Sequence, residues 1–174
     1  MIYKTEIPSP LGTLTLAADA EGLCGLWLPA QKQFTDALLK EVERKDNLPV
    51  FARTRAWLDR YFKGKAPSPD ELPLHPVGTA FQQQVWAVLR TIPYGETTTY
   101  SAVAEKISLS QGGKKGSSRA VGGAVGRNPI SIIIPCHRVV GKSGSLTGYA
   151  GGIAAKKYLL SLEGVDIDKF TDPR

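Results

Sequence analysis

Cys136 and His137 stand side by side at the end of an apolar run, and no other pair in the sequence is as well equipped for covalent chemistry. A thiol attacks as its thiolate, and a neighbouring base or cation draws it into that form. His137 supplies the base, and Arg119, Arg127 and Arg138 supply positive potential. A glycine-rich segment, GKSGSLTGYAGG at 141–152, follows at once and could wall a pocket. In an extended chain adjacent side chains point to opposite sides, so direct thiol–imidazole contact calls for a bend, with a bridging water as the alternative. The competing reading is that Cys136 is a small buried hydrophobe, as free cysteines often are.

Glu163 is the third candidate. It falls on the apolar face of Leu159 and Leu160, in a last helical turn where the helix dipole disfavours an acid. A specific partner would explain an acid so placed. A histidine that needs orienting fits, giving Cys–His–Glu logic. The alternative is a glutamate that lifts its carboxylate into water.

The elements that must carry these residues follow from pattern. Ile2–Ile7, Thr13–Ala18 and Leu23–Leu28 alternate like strands, with turns at Ser9–Gly12 and Asp19–Gly22. A helix is expected at 31–45 and another at 50–62, the second burying Val50, Trp57, Leu58, Tyr61 and Phe62. Four prolines in 63–78 mark a linker. Thr79 and Gln82 form a capping box for a helix carrying Phe81, Val85, Trp86, Val88, Leu89 and Ile92, which Pro93-Tyr94-Gly95 ends. Short helices at about 100–107 and 118–126, joined across a basic turn, suggest a helix-turn-helix. Gly122, Gly123 and Gly126 each cost such a helix about 1 kcal/mol relative to alanine. Tight internal packing or a smooth face pressed into a nucleic-acid groove would each offset that cost. Ile130–Ile134 reads as a buried strand, and a last helix spans about 153–163.

The fold class is therefore α+β. A small N-terminal sheet-plus-helix domain (1–75) precedes a mostly helical C-terminal domain with the helix-turn-helix (76–174). Charge follows the same division. Residues 1–78 carry ten basic and ten acidic side chains, whereas 79–174 carry twelve and six, and the net charge is +6. A basic half beside a neutral half suggests a polyanionic partner, though a solvated surface explains it as well. No stretch approaches the roughly 18 apolar residues that span a bilayer, and the N-terminus lacks a secretory layout, so the expected location is cytoplasmic, without a membrane partner. Cys24 and Cys136 make no CxxC pair and the only histidines are His75 and His137, so no metal site and reduced thiols are expected. No cofactor motif is present.

Ile134-Pro135-Cys136-His137-Arg138-Val139-Val140 resembles the active-site motif of the O6-alkylguanine-DNA alkyltransferases (methylated-DNA–protein-cysteine methyltransferases). The likeness runs from about Gly78 to Gly164, through Phe81–Trp86, Arg119–Gly122, Asn128-Pro129 and Gly148–Gly152, and the N-terminal half fits the family's more variable domain. It implies single-turnover transfer of an alkyl group from O6 of guanine in double-stranded DNA to Cys136, with O4-alkylthymine left open as a second substrate. It implies that His137 deprotonates Cys136 through a water, that Glu163 orients His137 and that Asn128 braces the active-site segment. Tyr100 would rotate the nucleotide and give a proton to the leaving guanine, and Arg119 would fill the space left by a flipped base. Tyr149, Ala150 and Gly151 would wall the alkyl pocket, with Lys156 near the extruded base. Ala120, Gly122 and Gly123 would enter the minor groove, with Arg127 as a further DNA contact and the protein a monomer, while Lys114 and Lys115, on a turn longer than the family's, would either add phosphate contacts or be spectators. Two features depart from the family: the turn holding Lys114 and Lys115 is longer, and Ala150 stands where some members have serine. Three other readings remain: a non-catalytic relative that only binds damage, a cysteine hydrolase, and a DNA-binding regulator.

Overall fold

The structure is a computed structural model that describes residues 1–110 and 117–173. Lys114 and Lys115 lie outside the described residues. The chain divides into two compact units, Met1–Val77 with Pro129–Ser131, and Gly78–Asn128 with the chain from Ile132 onward.

The first unit is built on a four-stranded sheet. β1 (Tyr3–Ile7), β2 (Leu14–Asp19) and β3 (Gly22–Trp27) form an antiparallel meander, and β4 (Glu43–Arg44) joins the outer side of β1 in parallel. The β2–β3 turn is set by Asp19, whose Oδ1 accepts from the amides of Glu21 and Gly22. Helix α1 (Lys32–Leu38) stops well short of the expected 45. Leu39 and Val42 leave the helix to pack with Ala17, Trp27 and Cys24, and Lys4 Nζ donates to the Leu39 carbonyl just past its end. Burial of those two side chains overrides the helix propensity of the following residues. Helix α2 (Pro49–Phe62) buries Phe51, Thr54, Trp57, Leu58 and Tyr61, so its inward face is turned slightly from the expected one and Val50 and Phe62 are only half-buried.

The proline-rich segment after α2 is no loose linker. Ser68 caps a 3-10 turn at Pro69–Glu71, and the Trp57 indole donates to the Ser68 carbonyl at 2.7 Å. Leu23 N–H donates to Pro73 and His75 N–H to Leu23, at 2.8 and 2.7 Å, which lays the segment along β3. Prolines exclude helix but leave an extended chain free to use its remaining amides this way. His75 closes the strap, with Nδ1 2.6 Å from Asp19 Oδ2 and Nε2 2.7 Å from Glu21 Oε2. Pro129–Ser131 also joins this unit, through backbone bonds to Leu26.

The second unit begins with α3 (Ala80–Leu89), whose capping box forms as expected between Thr79 and Gln82. β5 (Thr98–Thr99) leads into α4 (Tyr100–Ser110), which runs three residues past its expected end. α5 (Ser118–Gly126) starts at Ser117, whose hydroxyl accepts from the Ala120 amide. The three helices pack on one another, and the Trp86 indole donates to the Ala124 carbonyl at 2.9 Å. The run Ile130–Ile134 is buried but is a turn rather than a strand, with Ile132 at φ 71°. A 3-10 turn at Cys136–Arg138 follows, then β6 (Val139–Val140), parallel to β5, and α6 (Ile153–Leu162). The C-terminal segment returns to the loop after β6, where Thr171 exchanges backbone bonds with Gly144 and Leu146. Among the described residues no helix is long and apolar enough to cross a membrane.

The Asp19–His75 pair makes the strap sensitive to pH. Hydrogen bonding and charge from Asp19, with Glu21 behind it, raise the His75 pKa above its ordinary value. A raised folded-state pKa stabilises below the unfolded value and the benefit is lost as pH rises through the folded one. His75→Gln should therefore lower the thermal midpoint at about pH 6 and change it much less at about pH 9, where the wild-type imidazole is neutral. Equal losses at both pH values in paired melting curves would contradict this.

Candidate active site

The path into the site is set by backbone constraints around a single proline. Ile132 holds a left-handed φ that costs a β-branched residue about 1–3 kcal/mol, which its buried surroundings must offset. Pro135, at φ −81° and ψ 65°, makes an inverse γ-turn in which Cys136 N–H donates to the Ile134 carbonyl at 2.8 Å. The same carbonyl accepts from Asn128 Nδ2 at 2.8 Å, so Asn128 ties the turn to the end of α5. The 3-10 turn that follows sets Cys136, His137 and Arg138 about 120° apart around its axis. This is the bend that adjacent thiol and imidazole required.

The three side chains go to different places. Cys136 is 6% exposed. His137 is fully buried, with Nε2 2.6 Å from Glu163 Oε2. Arg138 is nearly buried and grips the same carboxylate with Nε at 2.7 Å and Nη2 at 3.1 Å, while Nη1 donates to the Ile92 carbonyl at 2.6 Å. Glu163 is the C-cap of α6, and its side chain is fully buried. Its Oε1 also accepts from the Gly95 amide at 3.1 Å. Gly95 has φ 81°, and a Cβ there would lie 2.9 Å from the Glu163 carbonyl oxygen, so only glycine suits that approach.

Burial alone would push the Glu163 carboxyl up, but the hydrogen bonds and charges of His137 and Arg138 outweigh it and hold the pKa at about 2. Burial pushes His137 down, and Arg138 and Lys156 add to that against the pull of Glu163, leaving a neutral imidazole. Burial pushes the Cys136 thiol up, with Asn128 and the Lys156 charge opposing. The sequence suggested a thiolate favoured by Arg119, Arg127 and Arg138. The structure corrects this: Arg138 is committed to Glu163, Arg119 and Arg127 are exposed, and the cation acting on the thiol is Lys156. The resting site pairs a thiol with a neutral imidazole.

Lys156 is buried in α6 and donates to the carbonyls of Val139 (2.7 Å) and Thr147 (3.0 Å), joining β6 to the glycine-rich loop. Burial lowers its pKa to about 8. The Tyr100 hydroxyl donates to the same Thr147 carbonyl at 3.0 Å, and burial raises its pKa above the ordinary value. A Cβ on Gly148 would stand 2.8 Å from that hydroxyl, so the loop needs glycine to pass it. Tyr149 is buried edge-on to His137, with centroids 6.5 Å apart, Gly151 is buried and Ala150 is exposed.

A cleft of about 570 Å³ opens beside this loop, lined by Tyr100, Ser101, Ser118, Arg119, Gly122, Lys142, Thr147 and Gly148. Arg119 and Ala120 are exposed on the first turn of α5. A Cβ at Gly123 or Gly126 would meet nothing within 4 Å, and one at Gly122 would make only ordinary contact with the Tyr100 ring. Internal packing therefore does not account for these glycines. The acidic and backbone partners of Arg138 escaped the sequence reading. The signal was there in Pro93-Tyr94-Gly95, read only as a helix end. Among the described residues, no group of three or more His, Cys, Asp or Glu is arranged to hold a metal.

Residues 2–76 match the family model of the 6-O-methylguanine DNA methyltransferase ribonuclease-like domain, and residues 80–165 that of the DNA binding domain of the same proteins. The methylated-DNA–protein-cysteine methyltransferase of Haemophilus influenzae is 44% identical over 98% of this chain and 92% of its own length. The Mycobacterium tuberculosis O6-methylguanine methyltransferase structure superposes with a TM-score of 0.80 at 42% identity, covering 94% of this chain and 93% of that one. The Mycobacterium tuberculosis OGT structure in complex with DNA gives 0.78 at 41% identity, over 97% and 94%. With both halves matched in order and relatives aligned almost end to end, the chain belongs to the 6-O-methylguanine DNA methyltransferase family.

Proposed function

We propose that this chain repairs DNA by moving an alkyl group from O6 of guanine to Sγ of Cys136, once per molecule. The observation that carries the reading is the buried Glu163–His137 pair, 2.6 Å apart, with His137 on the same turn as the thiol. Glu163 is ionised, so Nε2 of the neutral imidazole donates to it and Nδ1 carries the basic lone pair. His137 takes the thiol proton at Nδ1, through a bridging water. The thiolate then attacks the alkyl carbon, the carbon–O6 bond breaks, and guanine leaves with the electron pair and picks up a proton. Lys156 offsets the charge on sulfur, and Asn128 holds the turn. Tyr100 gives the leaving base its proton, for which its hydroxyl gives up the Thr147 carbonyl. The product is a thioether, and none of the groups around it can cleave a C–S bond, so the molecule is spent.

DNA is the partner, and the finer reading concerns how it is held. The target atom lies inside a duplex, and chemistry there calls for an extruded base at a cost of a few kcal/mol. The exposed first turn of α5 lies in the minor groove, with Ala120, Gly122 and Gly123 giving close approach and Arg119 filling the gap. The flipped nucleotide enters past Tyr100 and Gly148, with Tyr149, Ala150 and Gly151 around the alkyl group. Lys114, Lys115 and Arg127 add phosphate contacts, and the protein acts as a monomer.

Incubation with duplex DNA carrying O6-methylguanine should leave one methyl group on the Cys136 peptide, in at most stoichiometric amount, and none in Cys136→Ala. Repeated turnover seen by mass spectrometry would instead point to a hydrolase, and binding without transfer to a damage-binding protein. Arg119→Ala should slow transfer from duplex DNA more than transfer from free O6-benzylguanine; equal losses would remove its role beside the flipped base. Gly123→Ala should stabilise the fold by up to about 1 kcal/mol, since the helix gains propensity and the methyl group meets nothing, yet weaken duplex binding. Unchanged affinity in a titration would show that the bare face is not the DNA surface.

A further inference from the structure

Arg138 holds the Glu163 carboxylate more extensively than any orienting role for the histidine alone requires. The guanidinium bonds both carboxylate oxygens, at 2.7 and 3.1 Å, and its remaining fork is anchored on the Ile92 carbonyl. The Tyr94 ring lies 5.8 Å from the guanidinium carbon, and the Tyr94 hydroxyl donates to the Leu162 carbonyl. The α3–β5 turn thus fixes the arginine, and the arginine fixes the glutamate.

The chemistry of the pair gives this arrangement a purpose. A carboxylate buried beside an imidazole, without a second cation, is desolvated and tends to take up a proton. Whether that proton sits on the carboxyl or the ring, Nδ1 then carries hydrogen. If the carboxylic acid donates to Nε2, a neutral imidazole must hold its own hydrogen on Nδ1. If the ring is doubly protonated, Nδ1–H is present as well. In both states Nδ1 cannot accept the thiol proton. With Arg138 bound, the carboxylate stays charged and accepts from Nε2–H, and Nδ1 remains a base.

We infer that Arg138 is a positioning residue for the transfer, keeping the His137–Glu163 pair unprotonated at rest so that Nδ1 can receive the proton of Cys136. The inference rests on the proposed alkyl transfer for its catalytic meaning, but the protonation state can be read without it. The titratable and charged groups facing the pair are Arg138 on the 3-10 turn, Cys136 beside it, Lys156 on α6, Tyr94 on the α3–β5 turn and Tyr149 on the glycine-rich loop. Of these, Lys156 also disfavours a protonated His137, but it bonds Val139 and Thr147 rather than the carboxylate.

The test compares pH profiles of transfer from free O6-benzylguanine, which needs no DNA surface, for wild type, Arg138→Met, Arg138→Lys, Glu163→Gln and the Arg138→Met/Glu163→Gln double variant. In Arg138→Met the acid limb should move up by about one pH unit or more, with about a tenfold loss below it that recovers at higher pH. Arg138→Lys should restore part of the shift. With Gln at 163 there is no carboxyl for Arg138 to keep charged, so adding Arg138→Met should move the limb less than it does beside Glu163, by no more than the arginine's direct charge on His137 supplies. A uniform loss at every pH with an unmoved limb would mean that Arg138 only holds the fold together, and would overturn the inference. If the methionine variant does not fold, NMR of isotope-labelled wild type decides. His137 should carry hydrogen on Nε2 and none on Nδ1 at neutral pH, and a protonated Nδ1 there sinks the idea. Absence of any transfer to Cys136 in wild type would instead defeat the proposed function, and the NMR result would still stand or fall by itself.

Discussion

One buried carboxylate organises the second unit. Glu163 accepts from an imidazole, two guanidinium nitrogens and a backbone amide, and its side chain is closed to water. A lone buried anion is costly by several kcal/mol, and so is each partner deprived of it. The carboxylate and its partners come from three places that have to arrive together: the end of α6, the turn after α3 and the 3-10 turn that follows Pro135. Parallel pairing of β5 with β6 fixes the last of these relative to α4, because Thr98 and Thr99 sit directly before that helix. The position of the thiol is thus a consequence of satisfying a charge, and the apolar packing around it follows the same geometry.

The electrostatic state that results is quiet. A thiol raised by burial next to a neutral imidazole is a poor nucleophile at rest, which runs against the idea of a standing thiolate drawn out by arginines. For a protein whose sulfur can react only once this is an advantage. Oxidation follows thiolate character and exposure, and a protonated thiol on a residue only 6% exposed offers little of either. Attack requires the thiol to give up that proton first. The groups able to support it, Lys156 and the His137–Glu163 pair, are already in place and need no rearrangement.

Much of this was legible from residue types. Cys136 next to His137, and an acid at 163 that suited neither its helix dipole nor its apolar face, pointed to one another before any geometry was known. What sequence could not resolve was which cation serves which anion. Three arginines and a lysine were equivalent as charges, and only the fold commits Arg138 to Glu163 and brings Lys156 toward the thiol. The elements misjudged share a cause. The helix expected to reach 45 ends at Leu38 because Leu39 and Val42 find a buried place against Ala17 and Trp27. The proline-rich strap is ordered because its Pro73 carbonyl accepts from the Leu23 amide of β3 and its His75 amide donates to the Leu23 carbonyl. Ile130–Ile134 has the composition of a strand, but Leu26 takes up the backbone of Pro129 and Ser131, and the chain then bends at Ile132 and Pro135. In each case a long-range contact, invisible to local pattern, outweighed propensity.

The glycines of α5 extend the argument outward. Val121, Ala124 and Val125 face inward and are buried, as an amphipathic helix requires. Gly123 and Gly126 are exposed, their added methyl groups would touch nothing, and alanine would strengthen the helix by up to about 1 kcal/mol at each. A fold that buries a carboxylate with four hydrogen bonds is not careless with free energy. Stability given up on a bare, exposed face beside Arg119, with the cleft at its edge, is best accounted for by something that lies against that face. The DNA proposed to lie there, in a groove close enough to exclude a methyl group, would match in shape and charge.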